Sequence, residues 1–437
     1  MKNRLFEIWF SLCVGVANTE FQGVLERFGT PYDVFNAEEA ELESLSVSPR
    51  LKQALLQKSL QESMRIEQYC KQNGIGILFW QDEEYPAALR SLRDPPVLLY
   101  YRGKLPHINH RLCISVVGTR SMSEYGKRMA YKIGYELASA GAIVVSGMAL
   151  GNDSVATAGA ISAGGTPLAV LGCGVDVVYP RQHATLYDEI LRTGAILSEY
   201  PPGTSPIGSH FPVRNRIISG LSQGTLVVEG DIGSGALITA KSAILQGRDI
   251  YALPGNVGET NSAGTNRLIS EGAGIVFGAK DILENYAFIY RDVLNMKRFA
   301  DARKLSDPDD AQLARLGVCT RTIKVRDDGN RPASVPQPEA KTPATKPTPR
   351  KSATPPPQKK AESSPAKAPE RSNPAPDLSS LTNTQRRVFE AIPIDGMVTV
   401  EHLTGEGFSM SEIMASVTIL EIKGLIITLP GGLMSRK

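Results

Sequence analysis

Apolar and polar positions change their spacing twice along this chain. From residue 111 to residue 277, apolar runs of roughly three to six residues alternate with segments of helical spacing. Continuous apolar runs indicate strands that are buried on both faces, and helical segments between them indicate parallel crossover connections. Strands are predicted at 112–117, 142–145, 167–171, 195–197, 225–228, 250–253 and 275–277. Helices are predicted at 125–139, 155–163, 186–191, 215–221 and 236–246.

This pattern predicts an α/β domain with a doubly wound, Rossmann-like and mostly parallel sheet. Residues 4–73 have helical spacing throughout, with breaks at glycine and proline, which indicates a small helical domain with a loose helix-hairpin-helix look. Residues 378–437 read as three helices and a hairpin, a winged-helix-like domain. The predicted domains are therefore 1–75, 76–295 and 378–437, with a linker at 296–377.

The linker carries most of the net positive charge. Residues 331–376 contain thirteen prolines, nine Lys or Arg and three Glu, so this stretch is predicted to be a disordered tether. The full chain has a net charge of +3, which leaves −3 for everything outside the stretch. Bulk charge therefore gives no argument for nucleic-acid binding, and any such site must be a local patch.

Cysteine and histidine usage favours neither a disulfide framework nor a metal site. The five cysteines are widely spaced, with no CxxC and no paired histidine, which is typical of a reducing compartment. The N-terminal residues lack the pattern of a signal peptide, and the uncharged stretch 154–175 is broken by five glycines and a proline. A cytoplasmic protein without a membrane span is expected.

Small residues follow most of the predicted strands. The turns read Gly-Thr-Arg at 118–120, Ser-Gly at 146–147, Gly-Cys-Gly at 172–174, Gly-Ser-Gly at 233–235 and Pro-Gly-Asn at 254–256. Because strand ends of a parallel sheet meet at one edge, these backbone amides are predicted to form an anion-binding rim. The G-x-G-x-x-G and P-loop fingerprints are both absent, so no nucleotide cofactor is expected.

The hexapeptide 211–216 concentrates chemistry that suits single-stranded nucleic acid. It reads Phe-Pro-Val-Arg-Asn-Arg, and its last two residues begin the helix predicted at 215–221. An aromatic ring stacks on bases, while guanidinium groups bind phosphates. Two interpretations stay open: a DNA-binding loop, or a structural loop in which Phe211 belongs to the core and the arginines pair with carboxylates.

The chain resembles the bacterial DNA-processing protein DprA (Smf) family. The resemblance rests on seven motifs in order, strongest between residues 86 and 274: VVGTR, SGMALGND, YP, SEYPP, FPVRNRIISGLS, SGALITA and LPGN. It implies a cytoplasmic protein, not known as a catalyst, that protects incoming single-stranded DNA and helps to load RecA during natural transformation. A homodimer formed through the later part of the α/β domain, within 224–279, is also implied.

The resemblance also implies the DNA-binding residues. They are Gly118, Thr119, Arg120, Ser146, Gly147, Phe211, Arg214 and Asn215, with Lys241 as a further phosphate contact or a solvated helix charge. Relatives commonly have Gly-Ile-Asp and then His-Arg where this chain has Gly-Asn-Asp and then Thr157-Ala158. The roles of that His-Arg pair cannot be carried over.

Two other functions remain open at this stage. One is an enzyme that hydrolyses nucleotide glycosidic bonds on a Rossmann-like fold, although such enzymes need a carboxylate just past the glycine turn and 233–241 contains none. The nearest candidates are Glu229 and Asp231. The other is a scaffold that binds RecA without binding DNA.

Overall fold

The structure is a computed structural model that describes residues 3–302, 310–319, 381–393, 398, 403–404, 408, 410–423, 425–429 and 433–436. Most of the predicted linker, 320–377, lies outside the described residues. So does Ser409, which the sequence places at the start of a helix.

A nine-stranded sheet forms the centre of the molecule. Its order is β1-β2-β6-β5-β4-β3-β7-β8-β9, and every pair from β6 to β9 is parallel. The strands are β1 Gly76–Phe79, β2 Leu98–Gly103, β3 Cys113–Val117, β4 Ile143–Ser146, β5 Leu168–Val170, β6 Ala195–Ser198, β7 Gly224–Val227, β8 Asp249–Ala252 and β9 Gly274–Ile275. The predicted doubly wound α/β fold is confirmed, and all seven predicted strands are present.

Both faces of the sheet are buried, as the continuous apolar runs predicted. In β3 all five residues are buried, and alternate side chains enter different cores. Ile114 and Val116 belong to one core, whereas Cys113 and Val117 belong to the core on the other face. The strand period of two therefore supplies apolar contacts to both helix layers.

Helices cover the two faces. They are α7 Ala87–Arg90, α8 Glu124–Ser139, α9 Asn152–Ser162, α10 Ala184–Thr193, α11 His210–Gly220, α12 Gly235–Leu245, α13 Thr260–Ser270 and α14 Ala279–Tyr286, with 3-10 turns at Ile108–His110 and Arg181–His183. The main difference from the prediction is α11, which begins at His210, so all six residues of the hexapeptide 211–216 are helical and none belongs to a loop. No helix of the described residues has the length and apolarity that crossing a membrane requires.

The strands β1 and β2 extend the sheet beyond the predicted set. They pair antiparallel with each other, and β2 pairs antiparallel with β6. The segment between them contains Tyr85-Pro86 and Asp94-Pro95-Pro96, so the sequence reads as a turn-rich passage. An antiparallel hairpin with a long connection has no local signal as strong as a parallel crossover.

Six helices form the N-terminal domain, and their core is continuous with β1. They are α1 Arg4–Val14, α2 Phe21–Phe28, α3 Pro31–Asn36, α4 Glu39–Glu43, α5 Pro49–Leu56 and α6 Gln61–Gln72. Phe10, Phe21 and Leu55 pack in one cluster with Phe79 of β1. The hairpin amide of Ala17 donates to the Glu199 carboxylate at 3.4 Å. This contact gives the hairpin a packing role.

The folded part of the chain continues past the predicted linker boundary at 296. Helices α15 Met296–Ala302 and α16 Asp310–Arg315 follow α14. Phe299, Leu313 and Val318 are buried in the core that covers one face of the sheet. The prediction that the linker begins at 296 is therefore wrong, because apolar residues between 299 and 318 belong to the α/β domain.

The C-terminal residues form a separate small core. The described elements are α17 Asn383–Ala391, α18 Met410–Ile422, β10 Ile426–Leu429 and β11 Leu433–Arg436. The two strands pair antiparallel, and Val398 bridges to Met434. Thr382 and Gln385 form the predicted capping box at the start of α17. Two helices and the hairpin of the predicted winged-helix-like domain lie among the described residues.

Candidate nucleic-acid interface

An open cleft lies where the loops after β3, β4 and β5 meet the first turn of α11, outside the carboxyl ends of the strands. The empty space within it and in front of it, open solvent included, is about 420 Å³. We call it the edge cleft. Its lining residues are Arg120, Gly147, Ala149, Leu150, Leu171, Gly172, Cys173, Tyr179, Pro180, Phe211 and Arg214. Open α/β sheets bind ligands at this edge, and two guanidinium groups here suit an anionic ligand.

Two stacked aromatic rings form one wall of the edge cleft. The ring centroids of Tyr179 and Phe211 are 5.3 Å apart, with 26° between the ring planes. Tyr179 is 36% exposed, so part of its ring is open to a ligand. Gly172 lies directly beside the pair, since a Cβ there would be 3.1 Å from the Phe211 ring. The stack gives the cleft a flat apolar surface of the kind on which bases pack.

Tyr179 is not among the predicted binding residues. The only signal for it in the sequence is the Tyr179-Pro180 pair within the ordered motifs of the resemblance. Phe211 was predicted, and the fold brings the two together although a long stretch of sequence separates them. A pairing between residues that distant depends on the packing of loop and helix, which the sequence pattern does not report.

Two arginines flank the Phe211 ring with different exposure. The guanidinium carbons of Arg120 and Arg214 lie 5.8 Å and 5.9 Å from the ring centroid, within the range of cation–π contacts. Arg120 is exposed, whereas only 4% of Arg214 is exposed. Arg120 is therefore free to bind a phosphate from the open side of the edge cleft.

Arg214 is bound mainly to the protein itself. Its Nη1 donates to the carbonyl of Gly147 at 3.0 Å and to the carbonyl of Val170, and its Nε donates to the Asn215 side-chain oxygen at 3.2 Å. Burial lowers the pKa of Arg214 to about 10, so it stays charged at neutral pH. Arg214 was predicted to contact the DNA strand. In the structure it is a buried positive charge in the wall of the edge cleft.

The predicted anion-binding amides of Gly118 and Gly147 are already occupied. Their N–H groups donate to the two carboxylate oxygens of Asp153, at 3.3 Å and 3.1 Å. Burial raises the pKa of Asp153, while the nearby Arg214 charge and the two amides lower it. The structure contradicts a phosphate contact at these two amides, because an internal carboxylate takes the place of the external anion.

Ser146 and Thr119 are also committed to internal contacts. Ser146 is fully buried and its hydroxyl donates to the Val116 carbonyl at 2.7 Å. The Thr119 amide donates to the Glu229 carbonyl at 2.9 Å, and its hydroxyl oxygen accepts from the amide of Ser121 at 3.2 Å. The predicted phosphate contact at Ser146 is wrong because the side chain does not reach the surface.

Asn215 and Lys241 do not line the edge cleft. The Asn215 amide nitrogen donates to the Gly235 carbonyl at 3.4 Å, and its oxygen accepts from Arg214, so the side chain ties α11 to the start of α12. Lys241 is about half exposed on α12, and its ammonium lies 3.9 Å from the Glu421 carboxylate of α18. Neither side chain is placed beside the stacked rings.

The two residues that differ from the pattern of relatives, Thr157 and Ala158, lie in helix α9. Thr157 and Ala158 are both buried, and the Thr157 hydroxyl donates to the Asp153 carbonyl at 2.8 Å. No polar atom of these two residues lines the edge cleft. The positive charge at the cleft is therefore supplied by Arg120 and Arg214.

Glu229, the carboxylate nearest to the glycine turn after β7, caps a helix. It is 3% exposed, and its oxygens accept from the hydroxyl and the amide of Ser123 at the start of α8. Burial raises the pKa of Glu229. A Cβ on Gly126 would overlap this carboxylate, which shows how closely α8 packs against it. Glu229 does not line the edge cleft.

Comparison with known proteins gives the family. The model of the family described as DNA recombination-mediator protein A matches residues 76–287. The DNA processing protein DprA of Bacillus subtilis is 39% identical over 214 residues, which are 49% of this chain and 72% of that protein. DprA of Streptococcus pneumoniae is 41% identical over 207 residues, which are 47% of this chain and 73% of that protein.

A solved structure agrees with these sequence matches. The X-ray structure of DprA from Streptococcus pneumoniae superimposes with a TM-score of 0.56 and 33% identity, covering 65% of this chain and 98% of that chain. Protein Smf of Escherichia coli is 44% identical over 207 residues, which are 47% of this chain and 55% of that protein. The chain belongs to the DprA (Smf) family of DNA-processing recombination mediators.

Proposed function

We propose that this protein binds single-stranded DNA at the edge cleft. The observation that carries the proposal is the stacked pair of Tyr179 and Phe211 with the exposed guanidinium of Arg120 beside it. Unpaired bases offer faces that stack on aromatic rings, while the phosphates between them bind arginine. A duplex hides its base faces, so this combination favours a single strand.

Local charge supports the same proposal. The chain outside the proline-rich stretch has a net charge of −3, so general attraction to DNA is weak. At the edge cleft two guanidinium groups converge on one ring, and one of them is held in a buried position by backbone carbonyls. A fixed positive charge next to a stacking surface binds a nucleotide unit with little loss of side-chain entropy.

In the cell, we propose that the protein protects incoming single-stranded DNA in the cytoplasm and helps to load RecA during natural transformation. Membership of a family of recombination mediators supports this role. We also propose a homodimer formed through the region 224–279. Exposed apolar side chains on this half of the sheet support it, among them Leu245 at 70%, Ile275 at 47% and Phe277 at 72% exposure.

The protein is proposed to act by binding and not by catalysis. Hydrolysis of a nucleotide glycosidic bond needs a carboxylate that reaches the substrate. Both oxygens of Glu229 accept hydrogen bonds from Ser123, and Asp231 accepts from the neighbouring Ile232 amide. Among the residues that line the edge cleft, none carries a carboxylate.

Two variants test the proposed DNA site by different signatures. Phe211→Ala is expected to weaken binding of a mixed-sequence oligonucleotide by about 1–3 kcal/mol, the loss of one stacked base, without changing the salt dependence. Arg120→Ala is expected to lower the slope of log K against log salt by about 0.7, because one phosphate contact is lost. Fluorescence anisotropy at four salt concentrations measures both.

Arg192→Ala is the matched control. Arg192 is exposed, lies in the last turn of α10 and pairs with Glu189, so its removal should leave affinity and slope unchanged. The proposal fails if Phe211→Ala and Arg120→Ala both bind as the unchanged protein does. It also fails if all three variants weaken binding equally, since that result describes diffuse charge and no site. Circular dichroism of each variant checks folding.

A further inference from the structure

The loop that carries Tyr179 is held at a point shortly before the ring. We call residues 172–180 the tyrosine loop. The Asp176 carboxylate in this loop accepts a hydrogen bond at each of its oxygens. The Tyr69 hydroxyl donates to Oδ2 at 2.9 Å, and the Gly203 amide donates to Oδ1 at 2.8 Å. Asp176 thereby joins the tyrosine loop to α6 of the N-terminal domain and to the loop after β6.

Backbone contacts close the same junction. The Gly174 amide donates to the Thr204 carbonyl at 2.9 Å. A Cβ on Gly174 would lie 2.6 Å from the Asp176 carboxylate and 2.7 Å from the Gly203 nitrogen. The two loops therefore approach so closely that only glycine fits, and the Asp176 carboxylate fills the space between them.

A second anchor holds the residue before Asp176. The Tyr187 hydroxyl of α10 donates to the Val175 carbonyl at 2.6 Å and accepts from Arg102 of β2 at 2.9 Å. Residues 174–176 are thus fixed from three directions, whereas Tyr179 itself projects into the edge cleft. Rigid support next to a partly exposed ring reduces the entropy that the ring loses when a base stacks on it.

We propose that Asp176 is a positioning residue for the DNA-stacking ring of Tyr179, and that Tyr69 extends this support to the N-terminal domain. The inference rests on the proposed single-strand binding at the edge cleft. It gives the N-terminal domain a part in the DNA site, although its hairpin contacts Glu199 and not the edge cleft. The domain acts through one hydroxyl that holds the tyrosine loop.

The charge of Asp176 makes the test informative. Removing a carboxylate near a DNA site should strengthen binding if only charge matters, because a repulsion disappears. Removing a positioning group should weaken binding. Asp176→Ala is expected to weaken single-strand binding about three- to tenfold, in the direction opposite to the charge effect. Asp188→Ala, an exposed carboxylate on α10, is the control for charge.

Tyr69→Phe tests the link to the N-terminal domain without changing charge. It removes only the hydroxyl that donates to Asp176, and a loss of about two- to fivefold in affinity is expected. Tyr32→Phe is its control, since Tyr32 is a half-exposed tyrosine of the same domain, away from the tyrosine loop. Asp176→Asn keeps an acceptor oxygen for one of the two bonds and should recover part of the affinity.

A spectroscopic readout separates positioning from general stability. The full-length protein is saturated with an oligonucleotide that contains 2-aminopurine, whose fluorescence is quenched when it stacks on an aromatic ring. Asp176→Ala and Tyr69→Phe should show less quenching at saturation than the unchanged protein and the two controls. Lower stability alone would not change the quenching of the fraction that is bound.

Phe211→Ala, measured in the same series, keeps the two hypotheses distinguishable. If Phe211→Ala binds and quenches normally, the DNA site itself is wrong. If Phe211→Ala loses affinity while Asp176→Ala and Tyr69→Phe match their controls, the DNA site stands and the positioning role is overturned. Stronger binding by Asp176→Ala also overturns it, because that result identifies the carboxylate as a simple repulsive charge.

Discussion

Two buried charged residues determine which groups of the edge cleft are available to a ligand. The Asp153 carboxylate accepts hydrogen bonds from the amides of Gly118 and Gly147, so these turn amides already have an internal anionic partner. Arg214 is bound by carbonyls at the floor of the same region. Arg120 faces solvent, together with parts of Tyr179 and Phe211. The binding surface is therefore smaller and more aromatic than a rim of glycine amides.

His183 holds the turn that forms another wall of the edge cleft. It is fully buried, and its Nδ1–H donates to the Met148 carbonyl at 3.0 Å. Met148 has a φ of 54°, in the left-handed region that is unfavourable for a residue with a long side chain. The hydrogen bond stabilises this conformation. Burial lowers the pKa of His183, so the folded protein keeps its imidazole neutral.

This pKa shift predicts a loss of stability in weak acid. Below the ordinary histidine pKa of 6.5 the unfolded chain binds a proton that the folded protein does not bind, so the free energy of unfolding falls as pH decreases. The contribution of neutral His183 to the free energy of unfolding decreases from about pH 6.5 downward, by no more than about 1.4 kcal/mol for each pH unit. Urea unfolding of the protein and of His183→Gln between pH 8 and pH 5 measures it.

The His183→Gln variant separates the effect of His183 on stability from the opposite effect of buried carboxylates. Burial raises the pKa values of Asp153, Glu199 and Glu229, which makes the folded protein bind protons more readily than the unfolded chain. These groups are unchanged in His183→Gln, so the difference between the two curves reports the histidine. Parallel curves across this range would contradict the prediction.

At the scale of elements, α11 organises the edge cleft. Its start at His210 puts Phe211 and Arg214 three residues apart on one helical face. Both therefore point toward the loops after β4 and β5. The loops must leave room for them, and Gly147 does so because a Cβ there would lie 2.7 Å from the Arg214 guanidinium. Small residues at these strand ends serve the packing of α11.

Gly147→Ala is predicted to displace the Arg214 guanidinium. The displaced group loses its bond to the Gly147 carbonyl, so we expect a loss of about 1–3 kcal/mol in the free energy of unfolding, as for an overpacked site. Single-strand affinity should fall as well, because the wall beside Phe211 moves. Chemical denaturation and fluorescence anisotropy provide the two measurements.

Gly233→Ala is the matched control for this substitution. Gly233 lies in the exposed turn after β7, and a Cβ there meets no atom within 4 Å. The Gly233→Ala protein should keep the stability and the single-strand affinity of the unchanged protein. A Gly147→Ala protein that behaves like this control would show that Arg214 adjusts without cost and that α11 does not depend on the small residue.

The two halves of the sheet differ: one half carries the edge cleft, where DNA binding is proposed, and the other half carries exposed apolar groups. The edge cleft belongs to β3, β4, β5 and α11, whereas β8 and β9 end the sheet on the other side. The edge strand β9 is exposed, and Phe277 follows it. An open strand edge with exposed apolar side chains is a typical position for pairing with a second subunit.

The proposed homodimer predicts a mass of twice 47.2 kDa by light scattering at micromolar concentration. Phe277→Asp should shift the protein to a monomer, because a charged carboxylate would be buried in the interface without a partner. Met64→Asp is the control, since Met64 is 56% exposed on α6 and lies outside the region 224–279. A monomer for the unchanged protein at all accessible concentrations would remove the dimer from the proposed function.

The parallel sheet and its covering helices could be predicted from the apolar pattern alone. A continuous apolar run such as the one in β3 indicates a strand that is buried on both faces. This signal lies in the run itself and can be seen without knowing which strands pair with it. The ordered motifs indicated the family and with it Arg120, and Phe211 was proposed from the residue chemistry of the hexapeptide 211–216. The same reading missed β1 and β2, whose antiparallel pairing has no comparable local pattern.

The contacts among the residues of the site could not be predicted from the sequence, because they depend on how the chain folds. Asp153 accepts from Gly118, which lies 35 positions away in sequence. Tyr179 stacks on Phe211, and Tyr69 donates to Asp176, again across long stretches of sequence. Glycine turns offer the same N–H groups to an internal carboxylate and to an external phosphate, so composition cannot distinguish the two. The outcome is set by which anion the packing of the chain brings within hydrogen-bond distance.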